Sequence, residues 1–222
     1  TRLIAEGASV CLWDLDQDAL AGAVEALGPK SAGIKADIAD WDEVERAAAE
    51  TAEKLGGIDV LVAGAGITGP NTTLWEYPVD KWRQVIDVNL NGLFYCNRAV
   101  VPYMLSGGYG RIVNVASVVS GLIAAPNRFV YGATKAALLA LTCAMARDLA
   151  PEIRVNALAP GIIDTDIQKT VFADRDALRA AASGIPLGRV GSPDEVAEAA
   201  EWLLFAAPYV TGETIRVGGG RK

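Results

Sequence analysis

Tyr131 and Lys135 lie four residues apart and are the side chains in this sequence best suited to proton transfer. On an α-helix, residues i and i+4 share a face, so the phenol and the ammonium can meet the same ligand. A free phenol has a pKa of about 10, and a neighbouring ammonium favours the phenolate and lowers that pKa toward neutrality. Ser117 follows a strand-like run, where its hydroxyl can hold a substrate oxygen beside the phenol. Tyr131, Lys135 and Ser117 together predict acid/base chemistry on an alcohol or a carbonyl. The chain has no histidine that could do the same work.

The same Tyr–Lys spacing also fits a packed tyrosine followed by a solvated lysine, so the surrounding elements must decide. Short apolar runs alternate with longer amphipathic ones along the chain. We predict strands at Ala8–Leu15, Ser31–Ile38, Ile58–Ala63, Arg111–Ala116, Ile153–Leu158 and Glu213–Val217. We predict helices at Asp18–Leu27, Trp41–Leu55, Asp80–Leu105, Phe129–Leu149 and Ser192–Phe205.

The alternation predicts an α/β fold: a Rossmann-like, doubly wound parallel sheet with helices on both faces, in three layers. Ligands of such folds bind at the carboxyl ends of the strands. The glycine turn Gly64–Gly66, Ser117 and the pair Pro160-Gly161 all follow such ends, so we expect them to border one crevice. Nothing along the chain suggests a second domain, and we expect residues 1–222 to form a single domain.

Composition excludes several classes of function. A net charge of −7 and the lack of a basic run argue against nucleic acid or an anionic membrane as a partner. The cysteines Cys11, Cys96 and Cys143 are odd in number and have no metal-ligand spacing, which with the absence of histidine predicts no metal site. We find no uninterrupted apolar stretch of membrane-spanning length and no signal peptide, and we expect a cytoplasmic protein.

Nearly the whole chain resembles the short-chain dehydrogenase/reductase family. The resemblance rests on six separate elements that follow one another in the family's order and at about its spacing. These are Asp14 after the first strand, Ala36-Asp37-Ile38, Leu61–Gly66, Asn89 in Val88–Gly92, Ser117 with Tyr131 and Lys135, and Pro160–Thr165.

The resemblance implies a reaction and a role for each catalytic residue. The family interconverts secondary alcohols and ketones by hydride transfer to or from a nicotinamide cofactor. Tyr131 resembles the family's acid/base, and Lys135 resembles the residue that lowers its pKa and holds the nicotinamide ribose. Ser117 would stabilise the substrate oxygen as charge develops. Asn89 resembles the proton-relay asparagine, although it is also compatible with an ordinary polar residue in a helix.

The resemblance also places the cofactor. A carboxylate such as Asp14 at the end of the second strand of a dinucleotide fold accepts from the ribose hydroxyls and repels a 2′-phosphate. No arginine or lysine lies between Asp14 and Leu27, so NAD is favoured over NADP. Asp14 also fits a turn-forming aspartate. The residues implied to bind the cofactor are Asp14, Asp37, Ile38, Ala65, Gly66, Asn89, Tyr131, Lys135, Pro160, Gly161, Ile163 and Thr165.

The substrate is a small alcohol or ketone whose identity the sequence does not define. The interval from Ser117 to Tyr131 is one residue longer than the family's commonest spacing, with Val118 at the usual place and Ser120 as a second hydroxyl. This interval with Asn127–Tyr131 resembles a branch acting on 3-hydroxybutyrate and keto-deoxy sugar acids; 3-oxoacyl substrates are a further class. Trp75, Tyr77 and Trp82 either shape the far wall of the pocket or pack in a core or an interface.

The chain departs from the family at its start. Residues Thr1–Gly7 resemble the end of the first helix, so the family's opening strand and glycine-rich phosphate turn are missing from this sequence. That strand lies in mid-sheet, and its removal leaves a gap of about 10 Å. Three explanations of the missing strand are open. The sequence omits upstream residues, the chain is a fragment that folds poorly, or the two strands that flank the missing one pair directly.

Two functional readings follow. In the first, the chain is an NAD(P)-dependent oxidoreductase, and apolar faces on Asp80–Leu105 and Phe129–Leu149 assemble it into a homodimer or homotetramer. In the second, it is a non-catalytic or truncated family member that acts as a binding or scaffold protein without cofactor.

Overall fold

The computed structural model describes residues 1–121, 123, 125–172 and 174–221, with the side chains of residues 169 and 170 left out. Six strands occupy β1 Val10–Asp14, β2 Ser31–Lys35, β3 Val60–Ala63, β4 Gly110–Val115, β5 Ile153–Pro160 and β6 Thr214–Val217. The α-helices are α1 Arg2–Ala5, α2 Gln17–Leu27, α3 Trp41–Leu55, α4 Val79–Ile86, α5 Gly92–Gly107, α6 Phe129–Asp148, α7 Arg175–Ala180 and α8 Pro193–Glu201. Short 3-10 turns occupy Leu74–Glu76, Asp166–Thr170 and Ala181–Gly184, and π-helical segments occupy Asp87–Asn91 and Trp202–Ala206.

Local chemistry sets the helix ends. The Asp16 carboxylate caps α2 by accepting from two backbone N–H groups of the first turn. Ser192 and Glu195 form a capping box at the start of α8. Gly56 ends α3 with φ 81°, and Gly108 ends α5 with φ 68°, both in the left-handed region that favours glycine.

The predicted elements are all present and their ends differ by up to three residues, but two predicted helices contain a π segment: Asp80–Leu105, and Ser192–Phe205, whose α-helical part ends at Glu201. The predicted single helix Asp80–Leu105 is a continuous helical path from α4 to α5 that changes to π-helix over Asp87–Asn91. A π segment widens one turn and often marks a functional site. Asn89 lies at its centre.

The strands form two parallel sheets. Strands β3, β4, β5 and β6 pair in that order, and β1 pairs with β2. Sheet order β3-β4-β5-β6 brings the carboxyl ends of β4 and β5 side by side, where Ser117 and Gly161 follow. Since β1 and β3 belong to different sheets, direct pairing of the two flanking strands, one of our three explanations for the missing strand, is wrong.

Helices cover both faces of the β3–β6 sheet, which gives the predicted three layers. On one face α3, α5 and α6 enclose a core that includes Val44, Val100, Met104 and Ile112. On the other face Leu203 and Leu204 beyond α8 pack with Val113 and Leu158, and Leu3 of α1 packs against this cluster. The fold is therefore an α/β Rossmann-like fold with parallel sheets.

Helix α3 joins the two sheets. Its residue Ala47 packs with Ile34 of β2 and with Ala36 just beyond that strand, while Val44 and Ala48 enter the core shared with α5 and β4. Trp13 of β1 donates from Nε1 to Thr51 Oγ1 of α3 at 2.9 Å. The β1–β2 sheet is thus held to the rest of the molecule by side-chain packing on α3.

Helix α6 is long and apolar enough, by length and composition alone, to cross a membrane. It packs along β5 and buries Leu138 and Thr142 completely. It also buries the charged Lys135. These contacts are those of a helix in the core of a folded domain.

Candidate active site

Helix α6 places Tyr131 and Lys135 one turn apart at the carboxyl end of β4. The Lys135 ammonium donates from Nζ to the Val115 carbonyl at 2.7 Å and lies 5.9 Å from the centroid of the Tyr131 ring. Lys135 is only 4% exposed, so the alternative of a solvated lysine is wrong. Burial lowers the pKa of Lys135 to about 8, because the low-dielectric surroundings disfavour its charged form.

Ser117 lies beside the phenol. Burial raises the pKa of Tyr131, whereas its hydrogen bond with the Ser117 hydroxyl and the charge of Arg128 act in the opposite direction. Lys135 does not contribute to that shift, so the structure does not show the expected lowering of the Tyr131 pKa by Lys135. The physical reason is that the ammonium is directed to the Val115 carbonyl and burial outweighs the nearby charges.

The turn after β4 decides which hydroxyl faces Tyr131. Ser117 Oγ accepts from the Val119 N–H at 3.1 Å, which fixes its orientation. The Ser120 hydroxyl instead donates to the Ser117 carbonyl within the same turn. Ser117, and not Ser120, is therefore the hydroxyl available beside the phenol.

Asn89 ties the π segment to the loop after β3. Its Oδ1 accepts from the Ile67 N–H at 2.8 Å, and its Nδ2 donates to the Ile67 carbonyl at 2.9 Å. Nδ2 also lies 3.2 Å from Thr134 Oγ1, whose hydroxyl donates to the Tyr131 carbonyl at 2.9 Å. Sequence reasoning missed Thr134; its place one residue before Lys135 gave no signal, because threonine in a helix is usually only a packing residue.

Gly66 lies where Asn89 and Lys135 meet. A Cβ at Gly66 would be 3.2 Å from Asn89 Oδ1 and 3.4 Å from Lys135 Nζ. Glycine therefore keeps the backbone after β3 open beside the Lys135 ammonium, as a closely approaching cofactor requires. Ala65 precedes it in the same loop.

The residues expected to bind the adenosine half of the cofactor lie at the ends of β1 and β2. Asp14 is exposed, and its Oδ1 accepts from the Asp16 N–H at 2.9 Å, which makes it a turn-forming aspartate with its carboxylate open to solvent. Asp37 Oδ1 accepts from the Ala39 N–H at 2.8 Å, and Ile38 packs against Gly92 of α5. The open Asp14 carboxylate and the lack of a side chain at Gly66, beside the Lys135 ammonium, fit a dinucleotide cofactor.

The loop after β5 is held close to β6. The Gly161 N–H donates to the Val217 carbonyl at 2.9 Å, and a Cβ at Gly161 would lie 2.8 Å from the Gly218 Cα, so only glycine fits. Ile163 is buried and bridges to Gly191, and the Thr165 hydroxyl reaches the Ile163 carbonyl at 3.4 Å. Pro160 ends β5, so the loop starts at the same sheet edge as Ser117.

The matches to known proteins cover the whole chain. A family model described as enoyl-(acyl carrier protein) reductase matches residues 1–222. The 2-dehydro-3-deoxy-L-rhamnonate dehydrogenase (NAD(+)) of Sphingomonas sp. (strain SKA58) is 43% identical over 99% of this chain and 88% of its own length. The cis-4-hydroxycyclohexanecarboxylate dehydrogenase of Sinomonas cyclohexanicum is 39% identical over 99% of this chain and 89% of its own length.

The fold also matches a solved structure. The crystal structure of NAD+-bound xylitol dehydrogenase superimposes with a TM-score of 0.92 and 30% identity, over 99% of this chain and 91% of that chain.

Proposed function

Since the chain belongs to the short-chain dehydrogenase/reductase family, we propose that it oxidises a secondary hydroxy acid with NAD, using Tyr131 as acid/base. The coarser function follows from family membership: the chain is an NAD(P)-dependent oxidoreductase that interconverts a secondary alcohol and a ketone. The observation that carries the finer proposal is the set of Ser117, Tyr131 and Lys135 at the end of β4, in which Ser117 and Lys135 are buried and the half-buried Tyr131 is hydrogen-bonded with Ser117.

Each residue has a distinct part in the proposed reaction. In the oxidative direction the Tyr131 phenolate removes the hydroxyl proton of the alcohol, and in reduction the phenol returns it to the carbonyl oxygen. The Ser117 hydroxyl donates a hydrogen bond to the same oxygen and stabilises the charge that develops on it. A bound nicotinamide would accept or supply the hydride. Lys135 would hold the ribose hydroxyls, and Asn89 keeps the Ile67 backbone in place.

The remaining proposed cofactor contacts divide between the two sheets. Asp14, Asp37 and Ile38 would surround the adenosine, and the backbone at Ala65 and Gly66 would approach the cofactor closely. The loop residues Pro160, Gly161, Ile163 and Thr165 would cover the nicotinamide. NAD is preferred to NADP because the exposed Asp14 carboxylate repels a 2′-phosphate. The Sphingomonas relative is named for NAD(+), which supports this preference.

The proposal is tested by incubating the chain with NAD or NADP and a panel of 3-hydroxy acids, sugar acids, acyl thioesters and neutral secondary alcohols. NADH formation from a hydroxy acid, followed by its absorbance, is the expected result. Turnover of neutral alcohols only, or with NADP in preference to NAD, would contradict the substrate class or the cofactor preference.

The separation of the β1–β2 sheet from the β3–β6 sheet favours a second candidate, a family member that binds a partner without cofactor. NADH titration of a folded sample separates the two functions, since the second predicts no binding.

We also propose a homodimer or homotetramer. Phe94 on α5 is 46% exposed, which leaves an apolar side chain on the helix expected to pair across a two-fold axis. Light scattering should give a mass of two or four chains, and a mass of one chain would refute the assembly.

A further inference from the structure

Arg128 carries a buried charge whose outer nitrogens have no hydrogen-bond partner in the part of the chain that the structure describes. The residue is only 9% exposed, and both Nη1 and Nη2 are buried without a hydrogen-bond partner among the described residues. Its backbone is fixed at the start of α6, because the Arg128 N–H donates to the Ala125 carbonyl and its carbonyl accepts from the Gly132 N–H. An unpaired buried cation is unfavourable unless an acceptor completes it.

The guanidinium acts electrostatically on the proposed proton donor. Arg128 is the N-cap residue of α6 and lies three residues before Tyr131. Burial raises the pKa of both Tyr131 and Tyr77, and the charge of Arg128 opposes that rise at each, which places the guanidinium within electrostatic range of both phenols. An anion bound by Arg128 would therefore lie close to an alcohol bound by Ser117 and Tyr131.

Tyr77 supplies a third free donor. Its hydroxyl is buried and has no hydrogen-bond partner within the part of the chain that the structure describes. Its ring packs edge-on against Phe129, the residue that follows Arg128, with ring centroids 5.1 Å apart. Two guanidinium nitrogens and one phenol therefore lack acceptors in the same region, whereas the neighbouring Ser117, Asn89 and Thr134 are all hydrogen-bonded.

We infer that Arg128 is a specificity-determining residue that binds the carboxylate of the substrate, with Tyr77 as an additional donor. The two outer nitrogens of a guanidinium match the two oxygens of a carboxylate and hold it through parallel hydrogen bonds. The substrate class is then a small hydroxy acid, or the corresponding oxo acid, in which a few bonds separate the carboxylate from the reacting carbon. This inference rests on the proposed function, since it takes Tyr131 and Ser117 as the reacting centre.

A matched pair of substrates tests this inference: 3-hydroxybutyrate and its neutral amide, 3-hydroxybutyramide, each with NAD. We expect the ratio of kcat/KM for the acid to that for the amide to fall about a hundredfold in Arg128→Gln, mainly through KM. Arg128→Lys keeps the charge but loses the fork geometry, and should lower the ratio about tenfold. Arg147→Gln, an exposed arginine at the other end of α6, should leave the ratio as in wild type.

Stability gives a second readout. Loss of an unpaired buried cation should not lower the urea midpoint of Arg128→Gln, whereas loss of an arginine with a purely structural role should. A ratio in Arg128→Gln that equals that of wild type, or a variant that loses acid and amide equally, would overturn the inference.

Calorimetry with butyrate and butyramide, which have no reacting group, distinguishes failure of the inference from failure of the proposed function. If the wild type oxidises neither substrate but binds butyrate, and Arg128→Gln and Arg128→Lys lose that binding, the carboxylate site stands and the proposed reaction fails. If the wild type does not bind butyrate, or Arg128→Gln binds it equally well, the carboxylate site is refuted whether or not the chain has dehydrogenase activity.

Discussion

The two sheets hold different parts of the proposed reaction centre, and they differ in burial. In the β3–β6 region Asn89 is 1% exposed, Lys135 is 4% exposed and Ser117 is 8% exposed. The side chain of each is hydrogen-bonded to a backbone group. In the β1–β2 region Asp14 is exposed and its carboxylate accepts from the Asp16 N–H in its own turn, and Leu15 beside it is 56% exposed.

This difference in burial separates the residues proposed for proton transfer from the residue proposed to select between NAD and NADP. The residues proposed to transfer protons are mostly buried and hydrogen-bonded, so a substitution there should change rate and stability strongly. The carboxylate proposed to choose between NAD and NADP acts through space from an exposed position, so its removal should change selectivity weakly and stability hardly at all. Each of the following substitutions tests one side of that contrast.

The largest effect is expected for Tyr131→Phe, which removes the proton donor and keeps the ring. General acid/base catalysis contributes about 10²–10⁴ to rate, so kcat should fall by about 10³. The Kd for NADH, measured by fluorescence, should stay within about threefold of wild type, because the cofactor contacts proposed for Lys135 and the backbone remain. A variant that kept a tenth of wild-type kcat would show that Tyr131 is not the acid/base.

Lys135→Met should change how stability depends on pH. The ammonium titrates near 10.5 when unfolded and near 8 when buried, so between these values the unfolded chain holds one more proton than the folded chain. The free energy of unfolding of the wild type should therefore rise with pH across this window relative to Lys135→Met, by about 3 kcal/mol in total.

Urea unfolding of both proteins from pH 7 to pH 10.5 measures this difference. Comparison with the variant cancels groups common to both, such as Cys96, whose pKa burial raises to about 12. Parallel pH profiles would mean that Lys135 is not desolvated as described.

Asn89→Ala should destabilise the fold by about 2 kcal/mol, because the Ile67 N–H and carbonyl lose their partners in a partly buried site. Asn91→Ala is the matched control in the same π segment, since the Asn91 amide bonds Asp87 at an exposed position. Its effect should be below about 0.5 kcal/mol. Equal urea midpoints for the two variants would contradict the anchoring role of Asn89.

The smallest effect is expected for Asp14→Ala, on the β1–β2 side. Removing one exposed carboxylate should lower the preference for NAD over NADP about tenfold, measured as the ratio of the kcat/KM values, and change stability by about 0.5 kcal/mol or less. Glu25→Ala removes the same charge from an exposed position on α2 and should leave the ratio at its wild-type value. An unchanged ratio in Asp14→Ala would remove Asp14 from the cofactor site.

Periodicity predicted the order of strands and helices well, because each element buries an apolar face whose spacing the sequence records. It did not predict the π segment at Asp87–Asn91, since an α-helix and a π segment share the same apolar pattern over so few residues. Nor did it predict that β1–β2 would form a separate sheet, because strand patterns indicate burial and not partners.

At the site, residue identity was more predictable than electrostatics. The spacing of Tyr131 and Lys135 predicted their common helix face, but the direction of the Lys135 ammonium depends on where the Val115 carbonyl lies after folding. Arg128 precedes a helix, where arginine is usually exposed, and only its packing reveals a buried guanidinium whose outer nitrogens have no partner among the described residues.

The central claim is that this chain holds a nicotinamide cofactor beside Tyr131, and titration with NADH tests it most directly. A sample with a cooperative unfolding transition should bind NADH saturably, with a change in cofactor fluorescence and a Kd below about 1 mM, the upper end of ordinary KM values. Lys135→Met should weaken that binding. A well-folded sample with no fluorescence change up to that concentration would contradict the claim.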